Sequence, residues 1–186
     1  TDAIVKALER ARLDIPVVWN SSGYDSVESL RELEGLVQIY MPDFKYTDSA
    51  LALRYSAAPD YPEIARAAIF EMFRQVGPFE LDDDGMLRSG VLIRHLILPG
   101  AEDNSRAVID FVADNFPGDD VMFSLMAQYT PMPDTERFPE LQKTVTAEEN
   151  DALVDYMTQR GIYNGFWQEP CSATNDMIPD FDLTGV

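Results

Sequence analysis

The sequence predicts an α/β fold with a mostly parallel sheet, on three observations. Short apolar runs bounded by turn residues recur along the chain, and segments whose apolar residues repeat at helical spacing lie between them. Those helical segments also carry their own start and stop signals. Strands that alternate with helices build βαβ units, and βαβ units build parallel sheets.

The elements follow in order. Ile4, Val5, Leu8 and Ala11 mark a helix that is already under way at Thr1, which reads as a cut in a longer chain. "IPVVWN" (15–20) is a buried strand, and residues 25–34 form a helix with Val27, Leu30 and Leu33 on one side and Gly35 as its stop. Residues 36–41 are the second strand. A short helix is expected near 48–55 and a longer one over 61–76, where Ile64, Ala68, Ile69, Met72, Phe73 and Val76 share a face and Gly77-Pro78 ends the run. "LDDDGML" (81–87) is an exposed acidic turn. "GVLIRHLILPG" (90–100) is the third strand, 104–115 a helix, and "VMFSLM" (121–126) the fourth strand. "TAEE" (146–149) has the form of a capping box and opens a helix that runs to Arg160, stopped by Gly161. "GFWQ" (165–168) is a last short strand, and the acidic tail over 169–186 is irregular.

Composition excludes several classes. With 33 acidic and 14 basic residues the formal charge is −19, and no Lys/Arg cluster offers the counterion release that nucleic-acid binding needs. No apolar run reaches the roughly 20 residues that span a bilayer. One cysteine, Cys171, cannot pair within the chain and fits a reducing cytoplasm. One cysteine and one histidine cannot make a Cys/His zinc site. There is no serine nucleophile elbow, no glycine-rich phosphate loop and no HExxH.

Parallel α/β folds place their sites where strands end and feed the following helix. The polar residues near those ends are Asn20-Ser21-Ser22-Gly23, Asp43 and Lys45 in "VQIYMPDFKY", Arg94-His95, and Gln128-Tyr129. Residues two apart on a strand face the same way, so Asp43 and Lys45 project together. They form either a partly exposed ion pair worth ~0–1 kcal/mol or a pair of charges facing a charged ligand. Asn20 either satisfies its own turn or reaches the site. Gly23 reads as a turn residue. Arg94 and His95 face opposite sides; an arginine in an apolar strand needs a partner, so Arg94 is the better site candidate and His95 the structural one. Trp19 and Trp167 read as packing residues and Cys171 as an inert thiol.

Taken together, "VVWNSSGY", "VQIYMPDFKY", "VLIRHLILPG" and "VMFSLMAQYTP" resemble the radical S-adenosylmethionine (SAM) enzymes, most closely the group similar to pyruvate formate-lyase activating enzyme. The resemblance implies the C-terminal portion of a partial (β/α)6 TIM-like barrel over 1–168, about the last four βα units. It implies SAM at the strand ends, held by Asn20, Asp43, Lys45, Arg94 and Gln128. Lys45 would contact the SAM carboxylate or ribose, and Asp43 would ligate a monovalent cation. Asn20 stands where these enzymes carry an Asp, which removes a charge from that cation site. Gln128 or Tyr129 stands nearest to a family histidine on the last barrel strand. A 4Fe–4S cluster, a glycyl-radical enzyme or another protein or small-molecule substrate, and an electron donor such as flavodoxin or ferredoxin complete the implied system. The cluster's CxxxCxxC ligands and the GGE strand are absent from this chain, so it is expected to be inactive alone. A cluster-free SAM- or nucleotide-binding module and an unrelated α/β barrel domain are the competing readings.

Overall fold

The computed structural model describes residues 2–11, 13–118, 120–132 and 135–167. Six helices are present among them: α1 (Asp2–Ala11), α2 (Val27–Arg31), α3 (Ser49–Ser56), α4 (Tyr61–Val76), α5 (Glu102–Asn115) and α6 (Ala147–Gln159). The six strands are β1 (Val18–Ser21), β2 (Ile39–Pro42), β3 (Glu80–Leu81), β4 (Leu87–Leu96), β5 (Met122–Met126) and β6 (Gly165–Trp167). They form one sheet in the order β1-β2-β4-β5-β6, with β3 beside β4. Every pairing along that path is parallel; only β3 runs antiparallel, to β4. The α/β fold with a mostly parallel sheet is therefore the observed one. Strand order follows chain order without reversal, so crossovers of one hand place their helices on one face.

Local chemistry explains the element limits. The α6 capping box forms as the sequence implied: Glu149 N–H donates to Thr146 Oγ1 at 3.1 Å and Thr146 N–H to Glu149 Oε2 at 2.8 Å. Ser26 and Asp48 cap α2 and α3. In α4 the buried residues Tyr61, Ala65, Ala68, Ile69 and Met72 make one stripe. The stripe also buries Glu71, 6% exposed, which Arg74 grips at 2.8 and 2.9 Å.

Some limits differ from the sequence expectation. The third strand ends at Leu96, because Leu98-Pro99-Gly100 turn into α5, and it starts earlier, at Leu87. That early start pairs with β3 across the acidic turn 82–86, making a hairpin that apolar runs alone did not reveal. The first strand begins at Val18, helix α2 spans less than 25–34, and α5 begins at Glu102. Gln168, Cys171 and the tail lie outside the described residues.

The sheet sorts its side chains by parity. Val91, Ile93, His95 and Ile97 are buried on the helix-covered face with Tyr40, Phe44, Phe123 and Leu125. Leu92, Arg94, Leu96, Met122 and Met126 alternate onto the other face and are half-buried, and Phe166 there is exposed. No described helix is long and apolar enough to cross a membrane.

Candidate functional site

The site forms where β1, β2 and β4 end side by side. At the end of β2 the chain alternates Asp43, Phe44, Lys45. Phe44 turns to the helix face, fully buried and edge-on to Phe111 at 4.9 Å between ring centres. Burying such a ring contributes about 1.5–3 kcal/mol. That anchor sends Asp43 and Lys45 together to the open face, as their spacing required.

Arg94 meets them there from β4, through the isolated bridge that aligns Asp43 with Arg94. Its Nη2 lies 2.7 Å from Asp43 Oδ1 and donates to Asn20 Oδ1, also at 2.7 Å. Lys45 Nζ stands 3.7 Å from Asp43 Oδ2, which is an ion pair rather than a hydrogen bond. Asp43 and Arg94 are about four-fifths covered, at 22% and 23% exposure, whereas Lys45 is 43% exposed. Arg94 Nε is buried and has no partner among the described residues. Two bases thus surround one acid, and part of the guanidinium remains unpaired.

Asn20 is free to serve Arg94 because its neighbour holds the turn. Ser21 Oγ donates to Asp25 at 2.5 Å and accepts from Gly23 N–H at 3.1 Å. Gly23 is a turn residue, at φ +74°, and it also lies against the Asp43 carbonyl.

The four residues Asn20, Asp43, Lys45 and Arg94 therefore form one network. Gln128, two residues past β5, makes no hydrogen bond or ion pair with them; its Oε1 is buried without a partner among the described residues. Tyr129 is buried and donates to Leu141 O at 3.0 Å, so it pins a short helical turn. His95, 1% exposed, faces the helices. Its Nδ1 is 2.7 Å from Phe44 O and its Nε2 2.9 Å from Ser105 Oγ. Burial pushes its pKa down to about 4, against the smaller pull of the Phe44 carbonyl, so the ring is neutral. Trp19 packs partly buried against the core and Trp167 is 56% exposed.

A cavity of about 200 Å³ opens beside this network, lined by Asp43, Lys45, Tyr46, Leu96, Leu98 and Met126. It is charged at one end and apolar at the other. Two larger hollows, of about 400 and 390 Å³, lie at the start of α5 and beside α2. Neither gathers opposite charges from several strands. Sequence reasoning missed Leu96, Leu98 and Met126 as lining residues, although their spacing from Arg94 and within β5 places them on its face. It also missed Tyr61, Asn104 and Ser105, for which no local signal existed.

No family model matches the chain. An uncharacterized protein of Methanocaldococcus jannaschii is 30% identical over 154 residues, covering 82% of this chain and 41% of that protein. The chain thus spans less than half the length of this curated relative. Among solved structures, a domain of pyruvate-formate lyase-activating enzyme from Bacteroides vulgatus superposes with a TM-score of 0.62 at 16% identity, over 90% of both chains. At that identity the likeness is one of fold.

Proposed function

We propose that the chain is the SAM-holding part of a radical SAM enzyme of the activating-enzyme kind. The single observation that carries this is the network at the strand ends, where Asp43, Lys45, Arg94 and Asn20 converge beside an apolar cavity. The fold shared with an activating-enzyme domain supports it.

The residues fit SAM in part. Lys45 and Arg94 would bind its carboxylate, and Asp43 would face its ammonium group. Leu96, Leu98 and Met126 would line its apolar portion. Gln128 Oε1, a buried acceptor without a partner, can take a ribose hydroxyl. A cavity of about 200 Å³ is below the ~300 Å³ at the small end of ligand clefts. This chain would therefore enclose only part of SAM. In the parent protein, one electron from a donor such as flavodoxin or ferredoxin would cleave bound SAM at its C5′–S bond to methionine and a 5′-deoxyadenosyl radical, which would abstract hydrogen from a glycyl-radical enzyme or another substrate. The chain's own residues orient SAM and shield it from water.

Two implied groups do not fit. A monovalent cation at Asp43 would compete with the Arg94 guanidinium, which already bridges Asp43 and Asn20, and with Lys45. A 4Fe–4S cluster has no ligand set here: the sequence holds one cysteine, and the described residues hold no His/Cys/Asp/Glu group suited to a metal. The domain reading, a partial barrel over 1–168 followed by an acidic tail, belongs to this proposal, as does a cytoplasmic location.

Calorimetry of SAM against the chain tests the proposal. SAM is expected to bind, and Lys45→Ala is expected to weaken binding about tenfold with unchanged folding. Equal affinity in the variant, or no binding by the parental chain, would sink the assignment.

A further inference from the structure

Residues 43–45 run past the end of β2, where the neighbouring strands meet only part of their backbone. Two find backbone partners: Asp43 N–H donates to Ser21 O at 3.0 Å and Phe44 N–H to Arg94 O at 2.7 Å. The other four are met by side chains from three elements. Tyr61, the first residue of α4, accepts from Lys45 N–H at 3.0 Å. Its one proton faces the carbonyls of Asp43 and Ser22, each 2.9 Å away. His95 Nδ1 lies 2.7 Å from Phe44 O; a carbonyl only accepts, so Nδ1 carries the proton and Nε2 accepts from Ser105. Asn104 donates Nδ2–H to Lys45 O at 2.9 Å and accepts from Thr47 N–H at 2.9 Å. All three side chains are buried, at 4%, 1% and 5% exposure for Tyr61, His95 and Asn104.

A half-exposed strand end could leave such groups to water. Instead three buried polar side chains converge on one short stretch, and burying each would be unfavourable if its partner were lost. The stretch they hold is the one whose side chains enter the site. We infer that Tyr61, His95 and Asn104 are positioning residues, which act through the backbone of 43–45 to fix the direction of Asp43 and Lys45. The inference rests on the SAM reading for the ligand, but not for the geometry.

Tyr61→Phe is the sharpest test, because it removes one oxygen and keeps the ring in the core. SAM affinity is expected to fall about tenfold, since small misplacements of binding groups carry large penalties. Carbon relaxation at the Asp43 and Lys45 side chains is expected to report greater motion, while amides of β4 and β5 keep their protection from hydrogen exchange. His95→Asn places an N–H near the Nδ1 position and is expected to retain affinity within about threefold, whereas His95→Leu behaves like Tyr61→Phe. A folded Tyr61→Phe with parental affinity and unchanged side-chain order overturns the inference. If the parental chain binds no SAM, the SAM reading fails, and side-chain order alone decides the positioning role: unchanged order refutes it, increased motion supports it.

Discussion

Replacing Gly23 by alanine should show how closely the first strand's turn is fitted to the site. Gly23 sits at φ +74°, and a Cβ there would lie 2.1 Å from the carbonyl oxygen of Asp43. The left-handed backbone alone costs a non-glycine residue about 1–2 kcal/mol. The collision adds to it, because the atom struck is backbone and cannot swing away. To relieve it the turn must move, and a hydrogen bond stretched by about an ångström is no longer one. The contacts at risk are Tyr61 Oη to Ser22 O at 2.9 Å and Gly23 N–H to Ser21 Oγ at 3.1 Å. At ~0.5–1.5 kcal/mol each, they bring the expected loss to about 2–5 kcal/mol. For a domain of this size that lowers Tm by roughly 4–20 °C.

Gly35 provides the control. It has φ +79°, but a Cβ there meets nothing within 4 Å. Gly35→Ala should therefore lose only the conformational part, about 1–2 kcal/mol. Urea unfolding of both variants measures the difference, which is expected to be at least about 1 kcal/mol. Equal losses at the two positions would refute the close fit of the turn against Asp43.

Two pH dependences follow from buried groups. His95, the chain's one histidine, has a folded pKa near 4 against an ordinary 6.5, so the unfolded chain binds its proton first. Its contribution is complete above pH 6.5 and is lost as pH falls toward 4; imidazole ¹⁵N shifts should stay neutral over that window, and His95→Asn should flatten the stability slope there. Glu71 is held down to about 2 by the Arg74 guanidinium, which outweighs burial, with Gln75 helping. Its stabilisation is present above pH 4.5 and lost as pH falls toward 2, so Glu71→Gln should reduce acid sensitivity in that lower window, read by urea titrations at fixed pH.

Much of this was legible in the sequence because periodicity is a local property. Helix α4 matches its apolar spacing to the residue, and the α6 box follows from four residues. Asp43 and Lys45 share a face because a strand alternates, and Arg94 parted from His95 for the same reason. What stayed hidden depends on distant pairing. The β3–β4 hairpin needed a two-residue strand with no apolar signature. Tyr61 looked like no more than the start of a helix, and its hydroxyl has meaning only once α4 is docked on the end of β2. Asn104 looked like any residue in a helical first turn, and Gln128 offered a donor and an acceptor without saying who would meet them.

Charge at the site runs opposite to charge on the whole. The molecule carries −19, yet its strand-end network sets two bases around one acid. The two scales act differently. Surface charge is screened beyond about 8 Å at physiological salt, so it shapes the approach of a ligand rather than its final contacts. SAM has a carboxylate, an ammonium and a sulfonium, hence one net positive charge. On the SAM reading, an acidic molecule would draw such a ligand in, while Lys45 and Arg94 would select its carboxylate end on arrival. Asp43 then has a second task. Were it absent, two neighbouring cations would face each other across a half-covered site, and the direction of Arg94 would rest on Asn20 alone. On the SAM reading, Asp43 would offset the charges of Lys45 and Arg94, so that both could stand beside one anionic group.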